Sequence, residues 1–130
     1  MLTFHHTGIV VENIDEVATN YKAIFGEKSI SKKYHVSTQG VYVCFVEVGA
    51  NTFLELVQPV DENSLVHKLR KKGHTYYHVG YLVNDIEKMV AHLTSLNYKP
   101  FDYFSSEAFN GKRCIFLFSP DAHLIELIEK

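Results

Sequence analysis

The sequence predicts an α+β fold: two βαβββ modules that pair into a curved, partly closed sheet with the helices outside. Two repeated segments carry this prediction. His6-Thr7-Gly8-Ile9-Val10-Val11-Glu12-Asn13-Ile14-Asp15-Glu16-Val17 returns as His78-Val79-Gly80-Tyr81-Leu82-Val83-Asn84-Asp85-Ile86-Glu87-Lys88-Met89, at an offset of 72. Phe53-Leu54-Glu55-Leu56-Val57 returns as Leu124-Ile125-Glu126-Leu127-Ile128, at an offset of 71. Two matches in the same order at nearly one offset mark a duplicated unit.

Each half gives the same series of elements. A β-rich run (3–11, then 76–83) leads to Asn13 or Asp85, side chains suited to capping a helix N-terminus. Apolar residues then recur at helical spacing: Ile14, Val17, Ala18, Tyr21 and Ile24 in the first half, Ile86, Met89, Val90, Leu93 and Leu96 in the second. Gly26 is placed to close the first helix. Three β-type segments follow in each half, at 28–35, 41–48 and 52–57, then at 99–104, 113–118 and 123–128. Gly49-Ala50-Asn51, Asn110-Gly111 and Ser119-Pro120-Asp121 supply turns between them. Between the halves, Leu65, Val66 and Leu69 predict a short linking helix within 61–73. Module one therefore covers about 1–60 and module two about 74–130, within a single domain. A unit of roughly 55 residues buries little core by itself, which favours pairing of the two.

Composition excludes several classes. A net charge of −2 gives no electrostatic footprint for nucleic acid. Apolar runs are far shorter than the roughly 20 residues that span a bilayer, so no membrane association is expected. The opening residues show no basic region followed by an apolar stretch, so no signal peptide is expected. Cys44 and Cys114 lie in apolar runs without CxxC spacing, which predicts buried free thiols and a cytoplasmic protein.

Glu55 and Glu126 are the informative residues. Each sits mid-strand among aliphatic neighbours, and alternation puts Glu55 on one face with Phe53 and Val57. An unpaired carboxylate there costs several kcal/mol, so something must compensate it. His6 and His78 open the first strand of each half, each followed two positions later by glycine. A twofold arrangement brings both imidazoles and both acids to the junction of the halves. Two nitrogens and two carboxylate oxygens suit one divalent ion among Zn, Ni, Co, Mn and Fe. The predicted metal ligands are His6, Glu55, His78 and Glu126, with one or two positions left for substrate oxygen. His5 is a weaker candidate because only His6 aligns with His78. His35, His67, His74, His92 and His123 are assigned to surfaces or loops, and Tyr76 and Tyr77 to core or cavity walls.

With these positions filled, the chain resembles the vicinal oxygen chelate superfamily over nearly its whole length. That superfamily includes glyoxalase I, methylmalonyl-CoA epimerase, extradiol dioxygenases and drug-resistance proteins. The run Phe53-Leu54-Glu55-Leu56-Val57-Gln58-Pro59, then Asp61 to Leu65 and Leu69 to Gly73, is most similar to methylmalonyl-CoA epimerases, as is Gly111 to Leu117. The resemblance implies a metal-dependent isomerase or epimerase that removes a proton next to a thioester carbonyl, with Glu126 as the catalytic base. Its substrate would be an acyl-CoA or a glutathione adduct, and its assembly a homodimer. Lys32, Lys33, Lys112 and Arg113 are candidate contacts for CoA phosphates. The resemblance also leaves a lactoylglutathione lyase and, in another class, a drug-sequestering binding protein. In two respects the chain departs from the epimerase pattern: Ser119-Pro120-Asp121-Ala122-His123 is short where epimerases usually carry a longer, lysine-containing loop before the last strand, and Val43 stands where some epimerases carry a second carboxylate, shortly after a turn matching Gln39-Gly40-Val41.

Overall fold

A computed structural model describes residues 2–130. Strand β1 (Leu2–Val10) leads into helix α1 (Ile14–Phe25), followed by β2 (Tyr34–Val36), β3 (Val41–Gly49) and β4 (Thr52–Pro59). Helix α2 (Leu65–Lys71) links to the second series: β5 (Tyr76–Val83), helix α3 (Ile86–Ser95), β6 (Lys99–Pro100), β7 (Phe104–Ser106), β8 (Lys112–Phe118) and β9 (Leu124–Glu129). One mixed sheet runs in the order β2-β3-β4-β1-β5-β9-β8-β6, with β7 also paired to β8. It curls into a half-barrel. The first strand of each half pairs in parallel with the last strand of the same half, and β1 meets β5 antiparallel at the seam. Among the described residues no helix is long and apolar enough to cross a membrane.

The helices form where the sequence caps them. Asn13 Oδ1 accepts the amide of Glu16 at 3.1 Å, and Asp85 Oδ1 accepts that of Lys88 at 3.0 Å. Each such cap contributes about 1 kcal/mol. Gly26, at φ 96°, ends α1 in a conformation that side chains disfavour. Alternation along the strands then divides the core. Ile14 of α1 packs with Cys44, Val46 and Leu56, while Ile86 and Leu93 of α3 pack with Ile115, Leu117, Ile125 and Leu127. Glu55 and Glu126, one step out of phase with those residues, point away from the helices into the trough.

Two expected strands are shorter than predicted, for different reasons. Over 28–35 the chain makes a 3₁₀ turn at Glu27–Ser29, a single bridge from Ile30 to Val46, and only then β2. The Ser31 hydroxyl takes the amide hydrogen of Phe45 at 2.9 Å, so a side chain replaces part of the ladder. Over 99–104, the ladder to β8 covers Lys99–Pro100 and one further bond from the Phe101 amide to the Phe116 carbonyl at 2.8 Å, lapses over the next two residues and resumes at Phe104. The linking helix is confined to Leu65–Lys71 and is capped by Ser64, whose hydroxyl accepts the Val66 amide.

Candidate metal centre

The seam between β1 and β5 explains the histidine-x-glycine repeat. In the antiparallel register His6 faces Gly80 and Gly8 faces His78. In the flanking parallel pairs, Gly8 also faces Glu55 and Gly80 faces Glu126. Each glycine therefore lies between the acid of its own half and the histidine of the other. The space where its side chain would stand is filled by an imidazole. A Cβ on Gly80 would come within 2.6 Å of both ring nitrogens of His6, and one on Gly8 within 2.5 Å of His78 Cε1. Only hydrogen fits at either position.

Around those glycines the four predicted donors converge. His6 Nε2 lies 2.9 Å from His78 Nε2, 3.5 Å from Glu55 Oε1 and 3.2 Å from Glu126 Oε1. His78 Nε2 lies 3.2 Å from Glu55 Oε1 and 3.3 Å from Glu126 Oε1. Each residue offers one atom within 4.8 Å of the other three. Exposures of 0% for His6, 1% for His78, 5% for Glu55 and 4% for Glu126 put the whole set out of solvent. All four donors belong to one chain.

The donor set fits a divalent cation. Bonds of about 2.1 Å separate two donors on one ion by roughly 3 to 4 Å, the range seen here. Two carboxylates and two neutral imidazoles carry charge −2, which such an ion balances. Without that balance, two buried acids side by side would be expensive. Among the described residues Glu126 Oε1 makes no well-aligned hydrogen bond, and the atoms nearest it are the two imidazole Nε2 atoms at 3.2 and 3.3 Å, as in a set of ligands around a cation.

Without metal, protons must take this part. Burial by itself would lower His78, but its hydrogen bonds to Glu126 and Glu55 outweigh it and raise His78 to about 9. Burial by itself would raise Glu126, but its close contacts with the His6 and His78 imidazoles prevail and lower it to about 2. The raised His78 adds stability that is fully present below its ordinary 6.5 and is lost as pH climbs through about 9. The lowered Glu126 adds stability present above its ordinary 4.5 and lost as pH falls through about 2. Metal-free protein should therefore melt highest between about pH 4.5 and 6.5 and progressively lower towards pH 9. Thermal melts followed by circular dichroism test this. A melting temperature that kept rising from pH 6.5 to 9 would contradict the assigned proton.

A narrow pocket of about 30 Å³ opens beside the donors, room for one or two waters or a methyl-sized group. Val36, Val41, Val43, Val57, Phe104 and Phe116 give it an apolar wall. Gln39, which the sequence placed only in a turn, and Ser106, which it had not marked, add polar groups there. Tyr77 also lines it, as expected for a cavity-wall aromatic, whereas Tyr76 is 44% exposed and stacks on His123. His35, His67, His74, His92 and His123 lie outside the cluster.

The expected phosphate contacts fare differently. Arg113 is engaged by Glu129 at 2.7 Å and Glu87 at 2.9 Å, which take three of its five N–H donors. Lys33 pairs with Asp15 at 3.3 Å, and the ammonium of Lys32 lies over the Tyr34 ring. Cys44 and Cys114 are buried free thiols, as the sequence predicts.

A family model described as the glyoxalase/bleomycin resistance protein/dioxygenase superfamily matches residues 5–116. The chain is 30% identical to uncharacterized protein YqjC of Bacillus subtilis (strain 168), over 95% of this chain and 89% of that one. In structure it is similar to a methylmalonyl-CoA epimerase from Mycobacterium tuberculosis, with TM-score 0.84 and 25% identity, covering 97% of this chain and 86% of the other. A Streptomyces coelicolor methylmalonyl-CoA epimerase variant in complex with 2-nitronate-propionyl-CoA gives TM-score 0.85 and 25% identity, covering 100% and 99%.

Proposed function

This chain belongs to the glyoxalase/bleomycin resistance protein/dioxygenase superfamily, and from that premise we propose that it is a metal-dependent isomerase or epimerase. It removes a proton next to a thioester carbonyl, in the manner of a methylmalonyl-CoA epimerase. His6, Glu55, His78 and Glu126 hold one divalent ion, and Glu126 is also the base. The observation that carries this reading is the convergence of four buried donors beside a pocket with room for a small acyl substituent. Similarity to an epimerase in complex with 2-nitronate-propionyl-CoA supports an acyl-CoA substrate.

When bound, the ion supplies positive charge to substrate oxygens adjacent to the reacting carbon. Glu126 faces both the donors and the pocket, so one carboxylate can ligate and reach a carbon-bound proton. Beside the positive charge of a bound ion this carboxylate stays ionised at neutral pH, the form a base requires. Glu55 remains a ligand. The valines and Phe116 exclude water from the reacting carbon, which strengthens the local electrostatics.

Val43 favours a second reading. Epimerisation by two bases needs an acid on each side of the carbon. Among its described lining residues the pocket has no carboxylate except Glu55 and Glu126. A single base that takes and returns the proton on one face, as for a lactoylglutathione lyase acting on a glutathione adduct, needs only Glu126.

One experiment separates these readings. Protein carrying one equivalent of metal per chain is incubated in D₂O with methylmalonyl-CoA, and separately with the methylglyoxal–glutathione adduct. Deuterium entry at C2 of the thioester is the expected result. Isomerisation of the adduct without that exchange would favour the lyase. Inactivity on both, with tight drug binding by metal-free protein, would replace either enzyme by a sequestering protein. A cytoplasmic homodimer completes the proposal, and sedimentation analysis checks the assembly.

A further inference from the structure

His5 should point away from His6, because neighbours in a strand alternate. The register shows why it does not. Phe4 faces Tyr81 and His6 faces Gly80, so His5 is an extra residue on β1 with no counterpart on β5. Such a bulge turns a side chain that would otherwise face the wrong way. The second half repeats the device: Gly8 faces His78 and Ile9 faces Tyr76, which leaves Tyr77 as the extra residue on β5. His5 and Tyr77 are equivalent under the 72-residue offset. The duplicated unit thus places one bulged ring directly before each histidine of the centre.

The two rings do different things. Tyr77 meets His78 edge-on at 4.6 Å between centroids, and His78 Nδ1 has no hydrogen-bond partner among the described residues. His5 places its Nδ1 2.9 Å from His6 Nδ1. It is held there by stacking on Phe53 at 4.8 Å and by the edges of Phe45 and Phe109. A histidine whose Nε2 binds an ion carries its proton on Nδ1, and what accepts that proton fixes the ring.

We propose that His5 is a positioning residue for the metal centre: its Nδ1 accepts the Nδ1–H of His6 and so keeps the Nε2 lone pair of His6 on the convergence point. The inference rests on the metal-binding part of the proposed function but not on its substrate. It also makes the centre unequal, with the first imidazole braced by a hydrogen bond and the second only by packing.

Zinc affinity of His5→Phe and His5→Asn, measured by competition with a chromogenic chelator, tests this. Phe keeps the stack on Phe53 but has no acceptor, and its affinity is expected to fall by about 10- to 100-fold. Asn restores an acceptor oxygen near the place of Nδ1 and should recover to within about threefold of the original protein. The fold is checked by the melting temperature of each metal-free variant. In the zinc-loaded original protein, nitrogen NMR should show the His6 Nδ1 proton coupled across to His5 Nδ1, a signal that packing alone does not produce and that needs no variant to fold. Absence of that coupling, undiminished affinity in His5→Phe, or no recovery in His5→Asn would each overturn the role of His5. Failure of the original protein to bind zinc, cobalt or nickel would remove the metal centre itself, and this inference with it.

Discussion

Glu126→Gln is expected to retain metal and lose turnover by about 10³-fold, the usual scale for removing a general base. The amide keeps an oxygen in the same place, so the ion loses one charged ligand out of four rather than a coordination position. It has no lone pair basic enough to take a carbon-bound proton. The variant therefore separates the two duties assigned to Glu126, which Glu126→Ala would not. Metal content and the rate of C2 exchange, measured on one preparation, give the answer. Exchange within tenfold of the original enzyme would move the base to another residue. Loss of metal and exchange together would reduce Glu126 to a ligand.

The second large effect is expected from a single methyl group. Gly80→Ala places a carbon 2.6 Å from the His6 ring nitrogens. Its backbone is not in the left-handed region, so alanine meets no conformational objection and the cost is steric. The ring has nowhere to go: His5, Phe45, His78 and Phe109 surround it. Overpacking of this kind costs about 1–3 kcal/mol of stability. More telling, His6 Nε2 can no longer meet the other three donors, and zinc affinity should fall at least 100-fold, about 2.7 kcal/mol. Gly8→Ala should act in the same direction on His78, where the contacts are less severe. Denaturant melts and chelator competition read both effects. Wild-type affinity in Gly80→Ala would show that the histidine-x-glycine spacing serves something other than the centre.

Much of this site was legible in the sequence because duplication fixes spacing. Once His6–Glu55 and His78–Glu126 recur at nearly one offset, alternation and the cost of buried carboxylates bring the four together without coordinates. The role of the paired glycines was not legible, since it depends on the β1–β5 register, which no local pattern encodes. His5 was passed over for a related reason. It has no histidine counterpart at position 77, and regular alternation turns it outward, whereas an unsignalled bulge turns it in. The first shortened strand gave way where the Ser31 side chain replaced a ladder bond, and the second where pairing to β8 stops beyond Phe101. The ion pairs of Arg113 with Glu87 and Glu129 were not legible either, since both acids are distant from it in sequence.

The antiparallel seam has a mechanical consequence. Each half brings one imidazole and one acid, so neither half alone can grip a cation well. An ion at the seam would act as a cross-link between the two halves of the chain. Ligation then stabilises the folded form by RT ln(1 + [L]/Kd), about 2.7 kcal/mol at a hundredfold excess over Kd. Amide hydrogens along β1 and β5 should consequently exchange more slowly in loaded protein than those of the peripheral strands β2 and β6. Opening this barrel and releasing its ion would be one event.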